Sequence, residues 1–350
     1  MTRDKYTVKF TMPIRSDPTS IRLATPEIVA EYVASRLETQ VIADLGCGIG
    51  IQAIFFAKHC AKVYAIDIDP ERLAYARENA RTYSVSNIEF IQGDVLSHDV
   101  IEQLSGVDVI FSDPARCFDA ERRRLEDLSP PTLKVIEKYQ HITDKMAFHL
   151  PPMIDPERVF FDCEREYLSL YGEVNRFTVY LGELKRCERS AVVLPIGARL
   201  ESRKSSLRSD LLEVEPDSVV GVPRGFIFEP EPSVVRAELL PELFNYLPED
   251  AALYQCEHGR TLITSEMQSH HSFLKACYQV ISTTDFECDS IRQELRECDA
   301  RGVVLRFRID PEEYWTVRTR LEVGLRGDKT IHLFRCKNTA VLCQKTGKEI

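Results

Sequence analysis

At 350 residues the chain exceeds one ordinary core of about 100–200 residues, so two domains are expected. With 44% apolar and 29% charged residues it has the composition of a water-soluble globular protein, and no stretch approaches the roughly 18–20 apolar residues that span a bilayer. A net charge of −10 argues against a wholly electrostatic nucleic-acid binder.

The charge is unevenly spread. From Arg301 onward 11 Lys and Arg face 6 Asp and Glu, a basic tail on an acidic body. No apolar segment follows Met1-Thr2-Arg3-Asp4-Lys5, so a signal peptide is not expected. None of the 11 cysteines lies at Cys-x-x-Cys spacing. Neither a zinc site nor a disulfide framework is therefore expected, and reduced thiols in a cytoplasmic protein fit the pattern.

The first helix is expected at Thr25-Pro26-Glu27, with Thr25 as N-cap, Pro26 as the first helical residue, and Ile28, Val29, Tyr32, Val33 and Leu37 on one face. From residue 41 strands and helices alternate. Val41–Leu45 runs into Gly46-Cys47-Gly48-Ile49-Gly50 and a helix to about Cys60. The strand 62–67 precedes a helix opened by Asp69-Pro70-Glu71, and 87–92 and 108–112 are the next strands. A helix near 132–139 follows, then strands near 145–150, 166–171 and 191–194, with 176–181 readable as strand or helix. This alternation predicts βαβ units and a parallel sheet, whose ligands sit beyond the strands' carboxyl ends. The expected division is a domain over 1–200, a Ser/Arg/Lys- and Pro-rich connector over 201–232, and an α+β module over 233–350. In that module 234–247 and 290–300 read as helices, and 302–309, 330–336 and 339–344 as strands.

The strongest motif is Asp44-Leu45-Gly46-Cys47-Gly48-Ile49-Gly50, where glycines let the backbone turn sharply and approach a ligand. A dinucleotide-binding loop would carry glycine at 51, which is Ile51, and no phosphate-loop lysine is present. Asp44 can hold a cationic amino group or loop amides. Asp67, closing the second strand, suits a ribose, and Asp94, closing the third, an exocyclic amine. Three acidic strand ends around a glycine loop suit an adenosine that carries an amino acid and no phosphate; a nicotinamide enzyme is the main enzymatic rival.

These residues resemble the class I S-adenosylmethionine (SAM)-dependent methyltransferases, with a Rossmann-like, mostly parallel sheet covered by helices on both faces. The resemblance implies that Asp44, Gly46, Cys47 and Gly48 line the methionine part, Asp67 the ribose, and Ile68, Asp94 and Val95 the adenine. It also implies that Ser112-Asp113-Pro114-Ala115-Arg116-Cys117-Phe118 faces the transferred methyl. Asp113-Pro114 matches the first half of the (Asn/Asp)-Pro-Pro-(Tyr/Phe) motif of enzymes that methylate base amines; Ala115 and Arg116 depart from the second. Arg116 suits a substrate phosphate or carboxylate, or a structural salt bridge. Cys117, three residues past Pro114, reads as an inert thiol rather than a nucleophile, which leaves direct transfer with Asp113 orienting or deprotonating the acceptor.

A closer resemblance is carried by Ala24-Thr25-Pro26-Glu27, Asp113-Pro114-Ala115-Arg116, Leu128-Ser129-Pro130-Pro131, Gly225-Phe226-Ile227-Phe228-Glu229-Pro230 and Val234-Val235-Arg236-Ala237. Over about residues 22–345 the chain is similar to a prokaryotic group of class I methyltransferases with a C-terminal THUMP-like domain; Cys117 stands where a second arginine is expected. The resemblance implies an RNA substrate, with transfer RNA as the class. Arg306 and Arg308, alternating with Leu305 and Phe307, are expected on one strand face, and with Arg318 and Arg320 to contact phosphates. The alternative is a methyltransferase of a small molecule or protein whose C-terminal domain is a lid or dimer surface. His270-His271 reads as surface or structural, so no metal is expected.

Overall fold

A computed structural model describes residues 9–116, 124–203, 219–255 and 260–346. The chain divides into two units, Met1–Arg199 and Leu200–Ile350.

The strands of the first unit are β1 (Val41–Leu45), β2 (Lys62–Asp67), β3 (Ile88–Gln92), β4 (Val109–Ser112), β5 (Ala115–Arg116), β6 (Leu128–Ser129), β7 (Met146–Leu150), β8 (Glu164–Leu170), β9 (Glu173–Tyr180), β10 (Arg189–Leu194) and β11 (Ala198–Glu201). Nine form one sheet in the order β11-β10-β8-β9-β7-β4-β1-β2-β3, and β5 pairs separately with β6. The strands β3, β2, β1, β4 and β7 are mutually parallel, while β9 runs antiparallel to β7 and β8. Strands β4 and β7 are wholly buried, as strands covered on both faces must be, which is why they read as unbroken apolar runs. The helices are α1 (Pro18–Leu23), α2 (Glu27–Arg36), α3 (Ile51–His59), α4 (Pro70–Thr82), α5 (His98–Ile101) and α6 (Thr132–Tyr139). Val29 and Val33 of α2 and Ile54 and Phe56 of α3 share one apolar core with Val109 and Phe111 of β4, where the rings of Phe56 and Phe111 meet edge-on at 5.1 Å.

A buried polar network holds α2 against the antiparallel end of the sheet. Arg36 Nη2 lies 3.2 Å from Glu164 Oε2, and Tyr32 and Tyr180 donate to the two oxygens of Glu166 at 2.8 and 2.9 Å. Ser190 and Arg199 also donate to Glu164. Burial alone would raise Glu164, but the Arg186 amide, then Ser190, Arg199 and Arg36, hold it below the usual carboxylate range.

The second unit has an eight-stranded sheet of β12 (Val219–Val220), β13 (Phe226–Pro230), β14 (Ala252–Gln255), β15 (Thr261–Ser265), β16 (Leu274–Asp285), β17 (Ala300–Leu305), β18 (Lys329–Cys336) and β19 (Thr339–Thr346), ordered β12-β14-β15-β13-β16-β19-β18-β17. Its helices are α7 (Pro232–Arg236), α8 (Leu240–Phe244), α9 (Cys288–Glu297) and α10 (Pro311–Glu322).

Several expectations need correction. The stretch expected as a connector over 201–232 contains β12 and β13, both in the second unit's sheet, so ordered structure of that unit starts before residue 233. The single helix expected over 234–247 is two, because Pro241 has no N–H to donate and so fits the first turn of a new helix rather than the interior of a continuous one; Glu238 between them has φ +55°. Pro26, not Thr25, caps α2. The strand expected over 302–309 ends at Leu305, where pairing with β18 stops. The segment 176–181, open between strand and helix, lies largely in β9.

Candidate functional site

In the parallel sheet β1 is followed outward by β2 on one side, while β4 flanks it on the other. Between β1 and β4 the strand order reverses, so loops leaving their carboxyl ends turn away from each other and open a crevice. Ser112 at the end of β4 donates to the carbonyl of Leu45 at the end of β1 at 2.7 Å, which ties the two strand ends together. The residues leaving them, Gly46–Gly50 and Asp113-Pro114, thus begin side by side.

The glycine loop is anchored by the amides of Gly46 and Cys47, which donate to the carbonyl of Ile66 at 2.8 and 2.9 Å. Gly50 has φ +82°, and a Cβ there would stand 2.8 Å from Ala76 Cβ on α4. Only glycine lets the loop approach that helix. Gly48 also has positive φ, but a Cβ there would meet nothing within 4 Å, so the backbone faces open space. Asn79, fully buried on α4, bonds the carbonyls of Ile49 and Arg15 and the amide of Arg15, pinning the segment before α1 beside the loop.

Asp67 closes β2. Its Oδ2 accepts from the Gly48 amide at 2.8 Å and its Oδ1 from the Asp69 amide at 2.9 Å, while each oxygen keeps a lone pair for a hydroxyl ligand. Asp69 in turn caps α4 through the amides of Glu71 and Arg72, with Pro70 in the first turn. The Gly93 amide donates to the carbonyl of Asp67 at 3.1 Å, which brings the turn holding Asp94 and Val95 against the end of β2. Asp94 is exposed, with Oδ1 accepting from Leu96, and Val95 is buried, with its carbonyl accepting from Tyr139. Ile68 is 68% exposed.

Asp44 is buried, and its Oδ2 has no hydrogen-bond partner among the described residues. Burial, and then the nearby carboxylates of Asp113 and Asp67, push its carboxyl well above the usual range. Asp44, Asp67 and Asp113 therefore lie in one electrostatic neighbourhood. An ammonium group there would relieve both the repulsion and the unpaired oxygen. The buried Cys47 thiol is likewise raised by burial and then by Asp44 and Asp67, which makes it a poor nucleophile. This donor set, with the open backbone at Gly48, fits an adenosine bearing a cationic amino-acid tail.

Asp113 presents its carboxylate with 41% of the side chain exposed, and Pro114 behind it is buried. Arg116 falls on β5, whose pairing with β6 begins one residue past Pro114; Cys117 and Phe118 lie outside the described residues. Sequence reasoning missed His149. Its Nδ1 is 3.8 Å from Asp113 Oδ2, its ring is buried edge-on to Phe111, and neither ring nitrogen has a hydrogen-bond partner among the described residues. Burial lowers the imidazole to about 4 and outweighs Asp113, so it is neutral at neutral pH. The available signal was one histidine in the apolar run Met146–Leu150. Arg176 of β9, which also acts on His149, donates to Thr25 Oγ1 at 3.1 Å; that is the use the fold makes of the hydroxyl expected as a helix cap.

Arg306 and Arg308, expected on one strand face, lie beyond the strand, which ends at Leu305. Arg306 lies past the end of β17, donates to His332 Nδ1 at 3.0 Å and covers the Tyr278 ring. Arg318 on α10 pairs with Glu322 at 2.9 Å over the ring of Trp315, which is itself 63% exposed. Arg308 and Arg320 are exposed, with no partner among the described residues. His271 packs its ring against Tyr246 and Phe273, and His270 meets Gln268. Among the described residues no three His, Cys, Asp or Glu side chains gather to hold a metal, and no helix is long and apolar enough to cross a membrane.

Residues 42–128 match a family model described as a methyltransferase domain. An uncharacterized S-adenosylmethionine-dependent methyltransferase of Mycobacterium tuberculosis is 27% identical over 326 residues, covering 89% of this chain and 81% of the relative. An uncharacterized RNA methyltransferase of Halalkalibacterium halodurans is 32% identical over 96 residues, 26% of this chain and 21% of that protein. A crystallised protein of Porphyromonas gingivalis W83, provisionally called a methyltransferase, has the same fold with a TM-score of 0.74 at 17% identity over 95% of this chain and 83% of its own.

Proposed function

We propose that this S-adenosylmethionine-dependent methyltransferase acts on RNA, with transfer RNA as the class that its resemblance to enzymes with a THUMP-like C-terminal domain implies, and that Asp113 meets the acceptor. The observation that carries the acceptor assignment is the Asp113 carboxylate, half-exposed at the end of β4 and close enough to Asp44 to raise it. S-adenosylmethionine supplies an electrophilic methyl group on a sulfonium. Asp44 and the loop 46–48 hold its amino-acid part, Asp67 its ribose, and Ile68, Asp94 and Val95 its adenine. Asp113 accepts a hydrogen bond from the acceptor's amine or hydroxyl, turning a lone pair toward the methyl, and Pro114 fixes the backbone that presents it. Most of the rate comes from that alignment.

The RNA reading is supported by the partial RNA methyltransferase relative and by Arg308 and Arg320, whose guanidiniums are free of partners among the described residues. Asp113-Pro114 without the second half of the amine motif also suits an amide or hydroxyl of a protein or small molecule. The test is incubation with labelled SAM and total RNA from a strain lacking the protein, followed by nucleoside mass spectrometry. One methylated nucleoside, absent with Asp113→Ala, is expected. Label confined to protein or metabolite fractions would overturn the RNA assignment.

A further inference from the structure

The first unit has a second concave site. A cavity of about 200 Å³ is lined by Arg124, Leu125 and Glu126 from one segment and by Arg158 and Phe160 from another. That is several times the roughly 30 Å³ share of one water. Both walls spring from the acceptor side of the sheet. Residues 124–126 directly precede β6, the partner of the β5 strand that follows Asp113-Pro114. Residues 158–160 lie in the segment after β7, the strand carrying His149 beside Asp113.

The walls are anchored, and their heads are free. Leu125 and Val159 are buried, the Val159 carbonyl accepts from Arg165 Nη2 at 2.7 Å, and Asp155 caps the turn Pro156–Arg158. Phe160 is 72% exposed, with its ring edge-on to Phe161 at 6.2 Å. The guanidiniums of Arg124 and Arg158 have no ion pair or hydrogen bond among the described residues. An exposed aromatic ring lining one cavity with two uncommitted guanidiniums matches a nucleotide, whose base stacks and whose phosphate is anionic.

We propose that this cavity seats one nucleotide of the single-stranded part of the RNA substrate, its base stacked on Phe160, its phosphate held by Arg124 and Arg158, and a base amine within reach of Glu126. The inference rests on the RNA reading above and adds to it the seat that steers a neighbouring nucleotide to Asp113. Stacking on an aromatic side chain tolerates every base, so the seat grips the strand without reading its sequence.

The experiment is fluorescence anisotropy of the full chain, saturated with S-adenosylhomocysteine, against a labelled ten-nucleotide single-stranded RNA of mixed sequence. Phe160→Ala is expected to weaken binding about 5- to 100-fold, Phe160→Trp to restore it, and Phe160→Leu to leave it weak. Arg124→Gln with Arg158→Gln is expected to reduce the slope of log affinity against log salt by about 0.7 for each phosphate no longer neutralised. S-adenosylhomocysteine binding, measured by calorimetry, should stay unchanged in every variant and reports that each is folded. If the unaltered protein binds and methylates RNA but these variants bind like it, the seat is elsewhere and the RNA reading stands. If the unaltered protein binds no RNA, both fall.

Discussion

Asp44→Asn separates the stability of the first unit from its affinity for the cofactor. Asp44 is buried, one oxygen has no hydrogen-bond partner among the described residues, and Asp113 and Asp67 are close enough to oppose its ionisation. A carboxyl raised in the folded state favours the fold at low pH and loses that advantage as pH rises through the raised value. At neutral pH the aspartate is therefore a liability without cofactor, and the isosteric amide removes the charge without opening a cavity. Relief of such strain at a functional site is worth about 0.5–2 kcal/mol, or roughly 1–8 °C in midpoint for a unit of this size. The same change takes a charge-assisted hydrogen bond from the cofactor's ammonium, about 1.5–3 kcal/mol, or roughly 10- to 150-fold in Kd. Thermal unfolding without cofactor and calorimetric titration with SAM read the two effects. A variant no more stable than the parent, or one binding SAM as tightly, would refute this account of Asp44.

Cofactor binding should also release protons between the ordinary carboxyl range and the raised value of Asp44, because a neighbouring cation favours its ionised form; calorimetry in buffers of different ionisation enthalpy measures the number released. Gly50→Ala should destabilise the first unit by about 1–3 kcal/mol in denaturant titration, because its Cβ would strike Ala76 at 2.8 Å and φ is +82°. Arg36→Met should cost about 3–5 kcal/mol by the same assay, since it leaves Glu164 buried without one of its two cationic partners; a loss under about 1 kcal/mol would show that Arg199 suffices.

The first unit was legible because its central parallel strands β1, β2, β4 and β7 are buried, so they read as apolar runs, with Asp44, Asp67 or Ser112 at the ends where the chain meets the crevice. Asp69-Pro70 announced α4 by the same local chemistry. The second unit was harder. The distal half of β16 alternates exposed and partly buried residues, and α10 has only Leu321 fully buried, so neither gives a strong period. Arg306 and Arg308 continued the alternation of β17 in sequence, but β17 loses its partner at Leu305, which no local pattern marks. His149 lies on β7 and Asp113 just past the end of β4, far apart in the chain, and pairing of β4 with β7 brings them together. The acidic strand ends were visible one at a time; the mutual electrostatics of Asp44, Asp67 and Asp113 appeared only with the fold.

The most direct test is a crystal structure with S-adenosylhomocysteine bound. The amino group should lie within hydrogen-bond reach of Asp44, the ribose hydroxyls on Asp67, and the adenine between Ile68 and the turn holding Asp94 and Val95, with the sulfur facing Asp113. A ligand seated elsewhere, or bound with Asp44 still unpartnered, would contradict the account.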